Sequence, residues 1–347
     1  ITPNNDWKLF GFQFGEYYGG KKEIALNYDF TNINELFYLP SFQCLSPEIL
    51  VSNILTNKSD TFSIGRVFYF CLRYMNGIRA DTPILTPDVY RKFINALTLN
   101  QLTMGGIPES LVNTLNNMLI PDEMKRIDVD AVLKSTYLND ILVRVIRYLD
   151  KLLDKDVNSR NKFFKKLPEV ISKFPSDIMV SKVIPPLILQ MKDPNFVMSV
   201  LPSIFKITQH ITPLIFQQYI QPTLSTYWIS AKPPNVFFTI CLNIDKIASR
   251  VTKKDLKEQI VPILVKGLNI KNIGIQANCL KQVTLLNDQG LFDFTCLKND
   301  ILPNIANICQ IQSDNPKLIP LRVEVILCMS KIFKKFDSFT LENIILK

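Results

Sequence analysis

Histidine is nearly absent from this chain: His210 is the only one in 347 residues. There is no second histidine and no nearby cysteine or carboxylate pattern. This stretch therefore lacks the residues for a metal site or for His-dependent acid–base chemistry. Also missing is any run of about 18 uncharged apolar residues, so no membrane-spanning helix is expected. The longest apolar run with few charges, around Val236–Ile244, has the context of a repeat helix. The start of the chain carries no signal-peptide pattern. The seven cysteines, Cys44, Cys71, Cys241, Cys279, Cys296, Cys309 and Cys328, include no CxxC pair. Several fall on apolar helix faces and read as buried, reduced thiols of a cytosolic protein.

What is present is a folded chain, 47% hydrophobic and 20% charged. Its length exceeds one ordinary core, so two domains are expected. It begins at Ile1, without Met, and opens in what reads as mid-domain. A fragment of something longer is the expectation.

The second half repeats itself. Ile184-Pro185, Ile220-Gln221-Pro222, Ile260-Val261-Pro262 and Ile301-Leu302-Pro303 each open an apolar helical run, with prolines 37, 40 and 41 residues apart. A period near 40 with paired helices marks an α-solenoid of the HEAT or armadillo kind, because one helical pair buries its apolar face only against the next. A proline near the first turn of helix A, where its missing N–H costs nothing, is the expected anchor of each unit. Helix A is expected over Val183–Gln190, Ile220–Trp228, Ile260–Leu268 and Ile301–Ile308. Helix B is expected over Phe196–Ile207, Val236–Ala248, Ile275–Leu286 and Leu321–Phe333. Pro168 and Pro202 fall inside B-type patterns and should kink or start those helices. A last run, Leu341–Leu346, reads as the opening of a further repeat.

Charge is unevenly placed. Residues 1–137 hold 12 Lys/Arg against 14 Asp/Glu, a net of −2, and residues 138–347 hold 28 against 17, a net of +11. A basic solenoid could attract acidic peptides, anionic lipid headgroups or nucleic acid. Equally, its lysines could merely solvate outer faces in an Ile-, Asn- and Lys-rich chain. The one dense cluster is Lys162, Lys165 and Lys166.

The first third holds a different set of motifs. Trp7-Lys8-Leu9-Phe10-Gly11-Phe12-Gln13 reads as a strand entering a tight turn. Cys44-Leu45-Ser46-Pro47-Glu48-Ile49-Leu50 follows, then Ser59-Asp60-Thr61-Phe62-Ser63-Ile64-Gly65 opening an apolar helix, then Asp122-Glu123-Met124-Lys125-Arg126. This order and spacing resemble the C-terminal lobe of a protein kinase. The resemblance implies that Glu48 and Arg126 form a bidentate clamp. It also implies that Asp60 accepts backbone N–H bonds at its helix start and that Gly65 lets that helix pack closely. The metal-binding Asp is not there: aligned on Lys8, its place is Gly11, and a slip of two residues gives Gln13. Glycine offers no ligand, and glutamine a weak neutral one, to a hard dication.

A kinase C-lobe lacking that Asp and running into HEAT-like repeats resembles the Scy-like pseudokinase family, in its coated-vesicle-associated kinase branch. The residues that carry the resemblance are Trp7-Lys8-x-x-Gly11-Phe12-x-Phe14, Leu45-Ser46-Pro47-Glu48, Ser59-Asp60-x-Phe62-Ser63-Ile64-Gly65 and the junction Phe163-Phe164-Lys165-Lys166-Leu167-Pro168. That branch usually has Asp where this chain has Gln13. The resemblance implies a cytoplasmic protein, peripheral on clathrin-coated vesicles, Golgi and endosomes. Clathrin and adaptor coat components would be its partners, with weak or no phosphotransfer. From the residues themselves no metal is expected, and nucleic acid is not the expected partner. No cofactor is expected, and ATP binding finds no support in these residues.

The expected fold is mostly α, a truncated protein-kinase C-lobe over 1–137 followed by a HEAT/armadillo-like solenoid over 138–347. The expected function is a catalytically inactive scaffold in vesicle trafficking. Two alternatives stay open: an atypical active Ser/Thr kinase, and a nuclear-transport or tRNA-handling adaptor that uses the basic surface.

Overall fold

The computed structural model describes residues 15–17, 19–27, 42–78, 84, 86–99, 101–310 and 316–336, with the isolated positions 2, 6 and 8. Gly11, Gln13 and the run Leu341–Leu346 lie outside the described residues. The fold is mostly α-helical. Contacts divide it into two compact units, Trp7–Arg144 and Val145–Lys347, the second taking in Ile1–Asp6.

The first unit has a small antiparallel ribbon. Strand β1 (Glu23–Ala25) pairs with β2 (Ile54–Thr56), with Ile24 opposite Leu55. Its helices are α1 (Pro47–Ser52), α2 (Ser59–Met75), α3 (Pro87–Thr98), α4 (Glu109–Met118) and α5 (Val129–Leu133). Their starts carry the usual signals: Pro47 and Pro87 sit in first turns, Thr86 accepts from the Val89 N–H, and Asp128 accepts from the Ala131 N–H. Phe62 and Tyr69 of α2 and Leu111 and Leu115 of α4 form the core, with Leu119 and Ile107 beside them. A smaller cluster joins Phe42, Leu45, Ile49, Ile84 and Tyr90. The division along the chain falls inside helix α6 (Ile141–Asp150), between Arg144 and Val145.

The second unit is a stack of helical pairs. After α6 comes α7, over 157–171. Then α8 (176–191) pairs with α9 (Val197–Thr208), α10 (213–230) with α11 (Pro234–Cys241) and α12 (Ile244–Ala248), α13 (253–269) with α14 (Ile273–Asp288), and α15 (294–309) with α16 (Ile319–Ile332).

The four anchor prolines do not open their A helices, as the sequence suggested. They stand in the middle. Ten residues before each proline stands the cap: Pro175, then Thr212, Thr252 and Asp293, whose side chains accept from the N–H groups of Ile215, Asp255 and Cys296. Each helix then widens into a π turn directly upstream of its proline, over Met179–Val183, Phe216–Ile220, Leu256–Ile260 and Leu297–Ile301. The bonds Ile184 N–H to Met179 C=O, Gln221 to Phe216, Val261 to Leu256 and Leu302 to Leu297 close these five-residue rings. The cause lies in the proline: it lacks an N–H, and its ring crowds the carbonyl four residues back. One wider turn relieves the crowding without ending the helix. Pro185, Pro222, Pro262 and Pro303 are all exposed.

Counted from each proline, the positions six before, two before and two after are buried in every repeat. They are Met179, Val183 and Leu187; Phe216, Ile220 and Leu224; Leu256, Ile260 and Leu264; Leu297, Ile301 and Ile305. This stripe is the inter-helix core of the stack.

The B helices differ from expectation at one place. The helix expected over Val236–Ala248 breaks between α11 and α12, at Leu242 and Asn243. The break frees backbone groups, and buried Gln282 of the next B helix satisfies two of them. It donates to the Leu242 carbonyl (3.1 Å) and accepts from the Asp245 N–H (2.7 Å). Pro202 stays inside α9, and α7 continues through Leu167 into Pro168.

Helices α13 and α14 meet at Gly267. A Cβ there would lie 2.3 Å from Cys279 Sγ, far inside contact distance. Gly267→Ala should therefore destabilise the solenoid by on the order of 2 kcal/mol, read as an earlier urea midpoint. Adding Cys279→Ala should recover part of the loss, because the next contact is Cys279 Cβ at 3.7 Å. A Gly267→Ala protein as stable as wild type would contradict this close approach.

Candidate functional site

The strongest polar constellation in the first unit is built around Arg126. Glu48 reaches it from the first turn of α1, where Pro47 sets the backbone and Ser46 is extended. Arg126 sits in the tight turn after α4, its own N–H bonded to the Asp122 and Glu123 carbonyls. Nη1 donates to Glu48 Oε1 at 2.7 Å, and Nη2 to Oε2 at 2.9 Å. Nη1 also donates to the Lys58 carbonyl (3.0 Å), Nη2 to the Pro121 carbonyl (3.1 Å) and Nε to the Ile120 carbonyl (2.9 Å). Five donors thus meet five acceptors, the full capacity of a guanidinium. The Arg126 side chain is 0% exposed and its head lies 5.0 Å from the centre of the Phe62 ring.

Glu48 has a third partner. Ser59 Oγ donates to its Oε1 at 2.7 Å while accepting the Thr56 N–H at 3.0 Å. Burial pushes the Glu48 carboxyl up. The hydrogen bonds from Arg126 and Ser59 and the attraction of the guanidinium outweigh it, so the group titrates below the ordinary glutamate range.

The structure therefore brings Glu48 and Arg126 together in the bidentate geometry the motifs implied. Gly65 packs against the end of α4: a Cβ there would stand 3.0 Å from Met118 Cβ and 3.2 Å from Leu119 Cδ2. Asp60 differs from expectation. It occupies the first turn of α2 but is exposed, and its carboxylate has no hydrogen-bond partner among the described residues. Ser59, one residue earlier and buried, is the bonded side chain there, tied to the Thr56 N–H of β2 and to Glu48, and α2 has no side-chain cap. The four prolines lie in the other unit and carry no polar chemistry.

Two buried cations escaped the sequence reading. Arg66 donates Nε to the Gln43 carbonyl (2.9 Å) and stacks 3.7 Å from the Phe93 ring centre and 4.3 Å from that of Phe70. Arg73 donates to Tyr69 Oη and to Thr103 Oγ1 (3.0 Å). Their signal was position: Phe62, Arg66, Tyr69 and Arg73 follow one helical stripe, so both cations fall on the apolar face.

No cluster of three or more His, Cys, Asp or Glu that could hold a metal occurs among the described residues. His210 is exposed. All seven cysteines are free. Burial pushes the Cys296 thiol up to about 12 and the Cys328 thiol up to about 11, so neither supplies a thiolate near neutrality. The assembled residues hold chain segments together.

No family model matches the chain. Among curated proteins, "SCY1-like protein 2" of Mus musculus is 26% identical over 361 residues, covering 99% of this chain and 38% of that protein. "Probable inactive serine/threonine-protein kinase scy1" of Dictyostelium discoideum is 21% identical, covering 100% of this chain and 39% of its own length. The chain thus spans about two fifths of these relatives. One solved structure, "Crystal structure of Cex1p", aligns with a TM-score of 0.46 at 14% identity, over 84% of this chain and 64% of that one.

Glu48→Gln should destabilise the first unit by about 3–5 kcal/mol, because it leaves a buried guanidinium without its counter-charge. The native carboxyl titrates below its unfolded value, so its contribution is present above the ordinary glutamate pKa of about 4.3 and is lost as pH falls through the lowered native value. Urea unfolding should show the deficit undiminished at pH 7 and shrinking in acid. A deficit that stays constant into acid would contradict the electrostatic account.

Proposed function

We propose that this chain, a homologue of the Scy-like proteins over nearly its whole length, carries a kinase-derived unit kept for architecture and joined to a helical-repeat scaffold. The observation that supports this reading best is the Arg126 clamp, whose five donors are all engaged by Glu48 and backbone carbonyls. Such a clamp maintains a fold and does no chemistry. The sequence adds Gly11, with Gln13 as the slipped alternative, where a kinase needs its metal-binding carboxylate. One curated relative carries an inactive-kinase name, which agrees with the same reading.

The expected setting is clathrin-dependent traffic between Golgi and endosomes. There the repeats would hold coat components while the protein sits peripherally on the vesicle. The support for this setting is the motif resemblance at Leu45-Ser46-Pro47-Glu48 and Phe163-Phe164-Lys165-Lys166-Leu167-Pro168. No described helix is long and apolar enough to cross a membrane, so attachment would run through binding.

Thermal shift of the natural full-length protein with ATP, with and without Mg²⁺, tests the first claim. The expected result is no Mg²⁺-dependent rise in melting temperature. A shift that needs Mg²⁺ would reveal a metal site and reopen the active-kinase reading. Cell fractionation tests the second: the protein should co-sediment with clathrin-coated vesicles, and a wholly soluble distribution would contradict that setting.

A further inference from the structure

The turns between A and B helices hold a row of lysines in the register of the repeat. Lys155, Lys192, Lys232, Lys271 and Lys317 are spaced 37, 40, 39 and 46 residues apart, one in each successive turn. Lys192, Lys232 and Lys271 are exposed and join no ion pair among the described residues. Exposed Lys266 stands beside them, its ammonium 5.6 Å from the centre of the Phe237 ring. At two of the turns no Asp or Glu offsets the charge, none occurring from Ser230 to Ile244 or from Gln259 to Asn287, whereas Asp193 adjoins Lys192 and Asp154 and Asp156 flank Lys155. Both turns of the third and fourth lysines lie inside those stretches.

We propose that this edge docks an extended acidic peptide, with one carboxylate for each repeat. The period decides the partner. Packed helices lie about 8–10 Å apart, so successive turns present a lysine about every 10 Å. A chain in the polyproline II conformation advances roughly 3.1 Å per residue with three residues per turn, so every third side chain falls on one face and meets the next lysine. Single-stranded nucleic acid fits less well, because it needs aromatic platforms for base stacking. Among the described residues the exposed aromatics of the solenoid, Tyr219 and Phe294, lie in the opening halves of α10 and α15, away from these turns. The proposal extends the scaffold reading by naming a docking edge. Its failure would leave the nucleotide experiment above unaffected.

The test is fluorescence anisotropy of the full-length protein with a labelled peptide carrying Glu at every third residue, Ser and Gly between. Binding should weaken at least about tenfold in the Lys232→Glu/Lys271→Glu variant and fall with added salt. Lys165→Glu/Lys166→Glu, an equal charge change on α7, should leave it unchanged, and circular dichroism should show all variants folded. Equal loss in both variants would reduce the effect to net charge and overturn the proposal. So would equal binding of a peptide with its glutamates clustered at one end. A protein that ignores the peptide but loses RNA or phosphatidylserine vesicles in the Lys232/Lys271 variant would move the edge to a different partner class, which also overturns it.

Discussion

Burying a guanidinium with no exposed surface is costly, and the first unit is organised around meeting that cost. Arg126 is held by α1 through Glu48, by the start of α2 through the Lys58 carbonyl, and by the turn after α4 through the Ile120 and Pro121 carbonyls. Phe62 closes one face of the group. Buried pairs of this kind often add little net stability over a well-packed apolar replacement, while losing one partner is severe. What the clamp supplies is geometry: three separate chain segments meet only in the arrangement that satisfies every donor. Gly65 then lets α2 lie against Met118 and Leu119.

The second unit solves a different problem by repetition. Each A helix carries a proline in its middle, where it should break the helix. A π turn ahead of the proline absorbs the missing N–H, and it keeps the buried stripe in phase on both sides of the ring. The proline itself faces solvent, where a carbonyl released from the ladder can bond to water. Repeats then stitch to one another with side chains such as Gln282, which mends the broken B helix of its neighbour.

Much of this was legible in the residues. The B helices expected over Phe196–Ile207 and Ile275–Leu286 occupy Val197–Thr208 and Ile273–Asp288, since their apolar periodicity is strong. The Glu48–Arg126 contact followed from motif order across 78 positions. Three things were hidden. Proline is favoured at a helix start, so each of the four looked like one, and the caps at Thr212, Thr252 and Asp293 ten residues upstream went unread. The break at Asn243 has no proline or glycine to announce it, and depends on a glutamine from another repeat. Buried Arg66 and Arg73 drew no attention because periodicity was counted on apolar residues alone. Asp60 was assigned backbone N–H bonds at its helix start, and the start of α2 carries no such side-chain cap.

In both units buried polar groups, Arg126 and Gln282 among them, hold chain segments in place, and the described residues assemble no cluster of His, Cys, Asp or Glu that could hold a metal. The measurement that tests this most directly is phosphotransfer by the purified full-length protein, supplied with labelled ATP, Mg²⁺ or Mn²⁺ and a panel of protein substrates. The account predicts incorporation no higher than that of a heat-denatured control. Time-dependent labelling of itself or of a substrate above that control would contradict it.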